Sequence, residues 1–551
     1  MTDQLTWDAP GPGPWQQDSS HNPVSQSLLM QEVYPSGFNR GFEEAFAGYG
    51  ILLDRLAMGV VNGFTYHQPQ PFDMPGPDGP PDHDWIVGEI GRRTQVAHDA
   101  LEQQVWRDAI RRWDAEMKPS AQRRHLELVA GLDQLDDAAL LQRFHDSITH
   151  TEAMVYQHHR MNAHALIPVG EFMLQVSAWT HRPPTSLFAV LDGHSPVSGV
   201  SPPEMQAALS AIRADSAAKD LLFSEGAPGD ILRALSDRVP AVADYVANVH
   251  FRLLEGFDVT NPTIGERPAS LVGRLRVALG VDNEVSRQRG DAFAAQLRAE
   301  VPEEHREQFD AMLAEARLVY RLRDERGIYS DISATGIMRL VLLEMGRRFA
   351  ARGRLDDAGL LVDATVGEID GLFAGSATPT SNDLRTRALY RRELTLAGPP
   401  RHLGTPPPPP PDPSHLPPPL GRVMSAMGFT IEGILGQMEQ AEGTVSEIVG
   451  IPAAPGVYEG RARLVRSIDD LFTLEAGDVL LAPTTGEAFN SMLHVVAAIV
   501  TDHGSFASHA AIVSREMGIP AVVGTVDGTR RIPDGAIVRV DGAAGTVTVI
   551  G

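Results

Sequence analysis

The sequence predicts an α+β protein of more than one domain, with a large, mainly helical N-terminal part and a smaller C-terminal α/β domain. At 551 residues the chain is long enough for several domains. Up to about residue 400, long segments carry apolar residues at three- and four-residue spacing, the period of an amphipathic helix. After a proline-dense stretch, residues 494–500 form an apolar run of strand length, followed by a loop and a helix.

The N-terminal helices are predicted from this periodicity. They cover residues 90–117, 120–135, 137–164, 203–222, 227–249, 302–324 and 332–352. Strands and helices do not alternate regularly in this part, as they do in a (β/α)₈ barrel. We therefore predict a mainly helical substrate domain over residues 1–400.

Prolines mark the boundary that follows. Residues 406–411 are consecutive prolines, and more prolines follow up to residue 419, a composition typical of an extended linker or a surface loop. Residues 422–443 carry an apolar pattern that fits one helix or a flexible tether. The predicted domains are residues 1–400, a linker and tether helix over 401–449, and a C-terminal domain over 450–551.

Composition excludes several classes of function. The net charge of −24 disfavours a nucleic-acid or anionic-membrane partner, because either would require a basic face. The absence of cysteine rules out disulfides and thiolate chemistry. Residues 1–26 lack the apolar core of a secretory signal, and no apolar run reaches the roughly 20 residues of a membrane span. A cytoplasmic location follows by default.

One histidine lies where a phosphoryl group could be held. Ser508 is a good N-cap, Gly518 is a good helix stop, and His509 would be the first residue of the helix between them. The free N–H groups and the positive dipole end of that turn favour an anion. The alternative is a buried, hydrogen-bonded histidine at a helix start.

The C-terminal segment resembles the swivelling phosphohistidine domain of phosphoenolpyruvate (PEP)-utilising enzymes. The resemblance rests on separated motifs in the expected order: Pro455-Gly456, Gly477-Asp478, Ser508-His509-Ala-Ala, Ile532-Pro-Asp-Gly535 and Asp541-Gly542. It implies that His509 accepts a phosphoryl group and carries it between two active sites. Ser508 and Gly504 would then help to stabilise that group.

A second, shorter resemblance concerns the helical part. Val249-His250-Phe251-Arg252, Asp258 and the segment from Pro262 to Pro268 are similar to the acceptor domains of rifampin phosphotransferase and phenylphosphate-synthase-type enzymes. The family's ATP-binding domain usually has a lysine on the phosphates, but Lys118 and Lys219 are the two lysines here, and neither lies in a glycine-rich context. We therefore expect a separate ATP-grasp subunit to bind ATP and Mg²⁺, and no cofactor to be bound tightly by this chain.

Further site residues are predicted in the helical part. Arginines suit a phosphoryl group in transfer, because the guanidinium binds two oxygens and stays charged; the candidates are Arg252, Arg323, Arg326 and Arg339. Aromatic side chains and one histidine are candidates for binding the acceptor: Phe64, Tyr66, Trp85, Phe172, Trp179 and His250. Structural roles, as surface ion pairs or core packing, are the alternative for each.

Five histidines between residues 145 and 164 allow two interpretations. His145, His150, His158, His159 and His164 could bind a metal or supply a base for an acceptor hydroxyl. The metalloprotease sequence His-Glu-x-x-His is absent, and we predict no metal.

The sequence thus predicts one subunit of a heteromeric, dikinase-type phosphotransferase. His509 would carry phosphoryl from an ATP-charged partner subunit to the hydroxyl of a small molecule, possibly a phenol or cresol, with ATP converted to AMP and phosphate. The alternatives are a noncatalytic phospho-carrier or regulatory module, and a component of a rifamycin-type antibiotic phosphotransferase.

Overall fold

The computed structural model divides the chain into two compact units. Unit 1 consists of Met1–Ala165, Phe251–Thr263 and Glu325–Ser425, and unit 2 of Leu166–His250, Ile264–Asp324 and Ala426–Gly551. The structure describes residues 5–18, 22, 24–74, 79, 81–195, 197, 202–280, 283–405, 412–435, 447–466, 468–471, 473–486, 489, 495–506 and 508–550. The polyproline segment predicted at 406–411 and the end of the predicted tether, 436–443, lie outside these ranges.

Helices make up most of the regular structure. In chain order they are α1 (Leu28–Ala47), α2 (His83–Glu102), α3 (Val105–Arg112), α4 (Lys118–Val129), α5 (Asp137–Arg160), α6 (Asn162–Thr180), α7 (Gln206–Ala214), α8 (Ser216–Leu222), α9 (Pro228–Arg238), α10 (Pro240–Val249), α11 (Pro268–Gly280), α12 (Asn283–Glu300), α13 (Arg306–Tyr320), α14 (Leu322–Ile328), α15 (Asp331–Ala351), α16 (Val366–Phe373), α17 (Ser381–Ala397), α18 (Pro418–Leu435), α19 (Ile468–Leu471), α20 (His509–Met517) and α21 (Gly528–Arg531). The mainly helical character predicted for the N-terminal part is confirmed.

Some predicted helices are divided, and several helices, α1 among them, were not predicted. The segment predicted over 227–249 breaks before Pro240, because proline starts a helix well but cannot donate within one. Helix α1 contains Pro35, Gly37 and Gly41, residues that weaken the sequence signal of a helix. Tertiary packing forms it nonetheless, with one apolar face buried.

The strands form two sheets. In chain order they are β1 (Trp15–Gln17), β2 (Leu53–Val61), β3 (Phe64–Pro71), β4 (His402–Leu403), β5 (Glu447–Val449), β6 (Ile451–Ala454), β7 (Val457–Leu464), β8 (Val479–Ala482), β9 (Ala498–Thr501), β10 (Ala521–Val523), β11 (Ile537–Asp541) and β12 (Thr546–Val549). Unit 1 contains a four-stranded sheet of order β2-β3-β1-β4, which the sequence reading did not predict. The β2–β3 hairpin turns at Asn62-Gly63, both at positive φ, the signature of a tight hairpin turn.

Close helix packing shapes unit 1. Helix α1 crosses α5 at Gly37 and Gly41. A Cβ at Gly37 would lie 2.5 Å from the carbonyl oxygen of Glu152, and one at Gly41 would lie 2.6 Å from Cβ of His159. Glycine is therefore required for this crossing. The close approach brings side chains of α1 against the C-terminal half of α5.

An eight-stranded sheet forms the centre of the C-terminal part of unit 2. Its order is β5-β12-β11-β7-β8-β9-β10-β6, and β7, β8, β9 and β10 are parallel neighbours. Strands β8 and β9 are buried at every position, as expected for parallel strands covered on both faces. Among the residues that the structure describes, no helix combines the length and the apolar character needed to cross a membrane.

Candidate functional site

His509 follows a parallel strand at its carboxyl end. Strand β9 leads through a loop into α20, and α20 leads back to β10, which pairs in parallel with β9. Strand β8, the other neighbour of β9, ends at the same edge of the sheet. Side chains that follow parallel strands meet at this edge, where α/β proteins commonly bind ligands.

The local structure predicted around His509 is confirmed. Ser508 is the N-cap of α20, with φ −70° and ψ 163°, and its Oγ accepts from the backbone N–H of Ala511 at 3.5 Å. Gly518 ends the helix at φ 70°. His509 is the first helical residue, so its side chain lies at the positive end of the helix dipole.

The loop before α20 is fixed by a buried carboxylate and by a glycine. Asp502, directly after β9, accepts from the backbone N–H of Thr529 at 2.8 Å and from the Thr525 hydroxyl at 3.3 Å. Gly504 has φ 122°, and a Cβ there would lie 2.9 Å from Oγ of Ser508. Gly504 therefore lets the loop pass close to the N-cap that starts the histidine helix.

The imidazole of His509 is held by one ring nitrogen. Its Nδ1 lies 3.0 Å from Oγ1 of Thr485, which follows β8 on the neighbouring strand. The Nε2 atom is shielded from solvent and has no hydrogen-bond partner within the described part of the chain. With the proton on Nδ1, the ring donates to Thr485 and keeps the lone pair on Nε2. This is the arrangement of a nucleophile.

The surroundings keep this imidazole neutral. The pKa of His509 is lowered from 6.5 to about 4, chiefly by burial; the carboxylate of Asp324 opposes this shift, and the positive charges of Arg323 and Arg274 contribute to it. All of these residues belong to unit 2. At neutral pH, His509 is uncharged, in the nucleophilic form, in the field of two guanidinium groups that favour an incoming anion.

Neighbouring contacts tie the histidine segment to the helical part of unit 2. Phe506 packs against Phe188 and Phe429, with ring centroids 4.8 and 5.5 Å away. Nε of Arg515, on α20, lies 3.5 Å from Oδ1 of Asp192, and both side chains are largely buried. The segment that carries His509 thus contacts both charged and apolar groups of the helical part.

The structure places the predicted arginines in two different settings. Arg323 belongs to unit 2 and acts on His509, and its Nη1 lies 3.7 Å from Oδ1 of Asp324. The other three belong to unit 1. Arg252 lies over the ring of Tyr329 at 5.1 Å, Arg339 donates to the carbonyl of Val259 at 2.6 Å, and Arg326 lies near Asp331, whose pKa it lowers.

Two of the aromatic candidates lie in the core of unit 1. Phe64 and Tyr66 are fully buried there with Trp15, and the Tyr66 hydroxyl donates to the carbonyl of Pro400 at 2.8 Å. Trp85 is 47% exposed and stacks on Phe72.

The remaining acceptor candidates belong to unit 2. Phe172 packs on Phe309, and Trp179 stacks on His305 at 4.9 Å. His250 contacts the carbonyl of Ala247 through Nδ1 at 3.0 Å. The structure thus brings Phe64 and Tyr66 together and leaves the others in separate contacts.

The five clustered histidines separate in the structure. Nε2 of His145 lies 2.8 Å from Oδ1 of Asp370, the ring of His150 contacts that of His125, and Nδ1 of His164 lies 2.9 Å from the hydroxyl of Tyr49. His158 and His159 instead join Asp331, a residue that sequence reading did not select.

Sequence reasoning also missed three residues beside His509: Thr485, Arg274 and Asp324. Only Thr485 carried a usable signal. It follows an apolar run of strand length, as the histidine loop follows another, and parallel strands would bring both positions to one edge. Arg274 and Asp324 come from distant helices, so packing alone brings them to the site.

Comparison with known proteins agrees with this geometry. Residues 474–545 match the family described as PEP-utilising enzyme, mobile domain. The resemblance of the C-terminal segment to this domain, read from the sequence, is confirmed.

Several curated proteins are similar over longer stretches. The uncharacterized phosphotransferase YvkC of Bacillus subtilis is 30% identical over 42% of this chain and 26% of its own length. The rifampicin phosphotransferase of Streptomyces sviceus is 26% identical over 56% of this chain and 34% of its own. Chondramide synthase cmdD of Chondromyces crocatus is 32% identical over 50% of this chain and 7% of its own length. The chain thus spans about a third or less of each of these relatives.

Proposed function

We propose that the chain is the acceptor and carrier part of a dikinase-type phosphotransferase. The observation that carries this proposal is the imidazole of His509, neutral at neutral pH, held through Nδ1 by Thr485, with Nε2 unpartnered beside Arg323 and Arg274. Residues 450–551 would be the swivelling domain, residues 1–400 the acceptor domain, and residues 401–449 the connection.

In the loading step, a separate ATP-grasp subunit with bound Mg²⁺ presents ATP. The Nε2 lone pair attacks the β-phosphorus, and the bond to AMP breaks, so that AMP leaves with its electron pair. Water then cleaves the γ-phosphate from the pyrophosphoryl group on Nε2, which releases inorganic phosphate and leaves one phosphoryl group on His509. In the second step, the hydroxyl oxygen of an acceptor attacks phosphorus and releases its proton to water, the P–N bond breaks, and its electron pair returns to Nε2 of His509. Because Thr485 accepts a hydrogen bond from Nδ1–H, that proton stays on the ring and the imidazole leaves as a neutral molecule, which makes it a good leaving group.

The proposed acceptor is a phenol or a cresol. A rifamycin is the second candidate, because rifampicin phosphotransferase aligns with 56% of this chain. A noncatalytic carrier would accept phosphoryl on His509 and pass it to no small molecule.

The first test needs no partner. Phosphoramidate, a chemical phosphoryl donor, should phosphorylate the wild-type chain and a His98→Gln variant but not a His509→Ala variant. His98 is an exposed residue of α2 and serves as the matched control. Equal phosphorylation of the His509→Ala variant would contradict the proposed nucleophile.

The second test adds an ATP-grasp protein to the chain, with ATP labelled at the β-phosphate. We expect the label on the wild-type chain, release of AMP, and an aryl phosphate when phenol is added. Label on the chain with no transfer to phenol, p-cresol or a rifamycin would favour the noncatalytic carrier. Absence of label would contradict the dikinase reaction.

A further inference from the structure

A pair of buried histidines lies between α4 and α5 in unit 1. The ring of His125, on α4, contacts that of His150, on α5, edge-on, with centroids 5.1 Å apart and 72° between their planes. His125 is 1% exposed and His150 is 9% exposed. Within the described part of the chain, the Nε2 atoms of both rings are shielded from solvent and have no hydrogen-bond partner. Two adjacent rings thus each bury a nitrogen that needs a partner.

The surroundings of this pair are apolar. One turn before His125, Ala121 packs in a cluster with Met154, which lies one turn after His150. The two helices therefore run antiparallel, with a histidine layer next to a methionine layer. The ring of Phe251 lies 5.6 Å from that of His125. An unpaired nitrogen in such a setting costs stability, so the pair calls for an occupant that satisfies both rings.

Both imidazoles are neutral and keep a lone pair. Burial holds the pKa of His125 well below 6.5 and lowers that of His150 from 6.5 to about 4. For His125, the neighbouring His150 ring and Arg252 add to the shift, as Arg124 does for His150. A metal ion binds the neutral imidazole, because it needs the lone pair that a proton would otherwise occupy. At neutral pH, both rings are in the form that a metal requires.

The separation of the two rings fits a shared metal ion. With metal–nitrogen bonds of about 2 Å and a near-tetrahedral angle, two imidazoles on one ion have ring centres about 5 Å apart. The rings of His125 and His150 already lie at this separation. Those of His158 and His159 instead stack at 4.4 Å with 20° between their planes, so their in-plane lone pairs do not converge on one ion.

The number of nearby donors and the local charge disfavour Zn²⁺. Among the residues that the structure describes, no aspartate, glutamate or third histidine forms a group with His125 and His150 that could hold a metal. Zn²⁺ in structural sites almost always takes four ligands. The positive charges of Arg252 and Arg124 act on the pair, although Arg124 is itself paired with Asp146 at 3.5 Å. A monovalent ion that needs few ligands fits this setting better.

A thioether lies next to the pair. Met154 follows His150 by four residues on α5, so the two side chains are neighbours on one helix face. Imidazole and thioether donors together suit Cu(I), a soft, monovalent ion that is stable with few ligands. The sulfur also lies 3.9 Å from Nε2 of Gln157, a weak contact that a flexible methionine can give up. We propose that His125 and His150 bind Cu(I) through Nε2, with Met154 as a third, weaker donor.

This site lies wholly in unit 1 and does not rest on the phosphohistidine chemistry of unit 2. For His150, it revises the prediction from the sequence that no metal is bound. His125 was not among the histidines selected there, because it lies on the preceding helix. Bound Cu(I) would join α4 to α5 through two metal–nitrogen bonds, and it should therefore stabilise unit 1.

Competition with a chelator tests the site in the full chain. The protein is kept reduced and free of oxygen, and Cu(I) is supplied as its ferrozine complex. Because the chain has no cysteine, thiolates cannot take up the ion. We expect His125→Gln and His150→Gln to bind Cu(I) more than about a hundredfold more weakly than the wild type, since loss of an outer-shell partner alone costs about 10- to 100-fold. The control variants His98→Gln and His158→Gln should bind as the wild type does.

Silver NMR tests the wild-type chain, so it does not depend on whether a variant folds. Ag(I) is a soft analogue of Cu(I) that resists oxidation. With ¹⁵N-labelled histidine, silver–nitrogen coupling should appear at Nε2 of His125 and of His150. Met154→Leu, which nearly keeps the side-chain volume, should retain this coupling and weaken Cu(I) binding about tenfold. Thermal unfolding of each variant checks its fold, and Cu(I) should raise the melting temperature of the wild type but not that of His125→Gln.

The outcomes are distinct. No uptake of Cu(I) and no silver–nitrogen coupling in the wild type would overturn the proposal. Uptake that is lost in His158→Gln and retained in His125→Gln would overturn it as well, because the ion would then lie elsewhere in unit 1. Zn²⁺ bound by His125 and His150 more tightly than Cu(I) would overturn the choice of a soft ion. Unchanged affinity in Met154→Leu would remove the thioether from the site.

Discussion

The two histidine sites of this chain differ in the group that holds Nδ1. In unit 2, Nδ1 of His509 faces a neutral hydroxyl, that of Thr485, at 3.0 Å. In unit 1, Nδ1 of His158 faces a carboxylate, that of Asp331, at 2.8 Å. Both contacts orient an imidazole through one nitrogen.

The difference in partner separates two kinds of chemistry. A neutral partner, burial and neighbouring arginines favour the uncharged ring, which suits a nucleophile and a leaving group. An ionised partner favours the protonated ring, but burial raises the pKa of Asp331 to about 7, so near neutral pH its carboxyl group is only partly ionised. The two imidazoles thus face groups of different chemistry through Nδ1.

Replacing His509 or His158 with alanine should give the largest difference in phosphoryl loading. His509→Ala removes the proposed nucleophile and should abolish loading by phosphoramidate, whereas His158→Ala should load fully. Intact mass measurement of both variants checks this, with thermal unfolding as the folding control. Equal loss of loading in both variants would contradict the proposal that His509 alone is the nucleophile.

Replacing Thr485 with aspartate should give Nδ1 of His509 a carboxyl partner, as Nδ1 of His158 has in unit 1. Thr485→Asp places an anion beside His509, which should raise the pKa of its imidazole above about 4 and repel the phosphoryl group. Loading should slow about a hundredfold, since close charges in a protein interact by several kcal/mol.

Thr485→Val, which removes the hydrogen bond at similar volume, is the matched control. It should slow loading only about tenfold, as expected for one lost hydrogen bond. Equal rates in the two variants would show that charge at Nδ1 does not matter.

Replacing Gly504, in the loop before α20, should have a smaller effect, and this effect should be on the rate at which His509 is loaded. Gly504→Ala introduces a Cβ 2.9 Å from Oγ of Ser508 and should slow loading several-fold by displacing the start of α20. Gly535→Ala is the control, because Gly535 also has positive φ but would meet nothing within 4 Å. Both variants should lose about 1 kcal/mol of stability to backbone strain. If loading slows equally in both, the contact with Ser508 is not the cause.

The pH dependence should be the smallest effect on the rate. His509 has a folded pKa of about 4, below the ordinary 6.5, so it stays neutral and loading should change little as pH falls from neutrality towards about 5. The unfolded chain binds the proton first, so the stability contributed by neutral His509 is present above pH 6.5 and is lost as pH falls towards 4. NMR titration of the His509 ring measures this, and a midpoint near 6.5 would contradict it.

How much the sequence predicted depends on how local each feature is. Ser508, His509 and Gly518 are adjacent in one short helix, and their capping roles follow from residue type, so they could be predicted. The hairpin at Asn62-Gly63 carried an equally local signal that was overlooked. Helix α1 could not be read from periodicity, because the glycines that allow its close crossing with α5 weaken the helical pattern.

Features that depend on tertiary packing could not be predicted from the sequence. His158 and Asp331 are far apart in sequence and meet only because α5 and α15 pack together in unit 1. The same holds for Arg274 and Asp324, which reach His509 from distant helices. Residue type alone selected many arginines and aromatic side chains, and it gave no basis for choosing among them.

The most direct test of the central claim identifies the phosphorylated atom. The chain with ¹⁵N-labelled histidine is loaded with phosphoramidate, and phosphorus–nitrogen coupling is measured by NMR. We predict coupling to Nε2 of His509, with Nδ1 of the same ring still protonated towards Thr485. Coupling to Nδ1 of His509, or to any other histidine of the chain, would contradict the account.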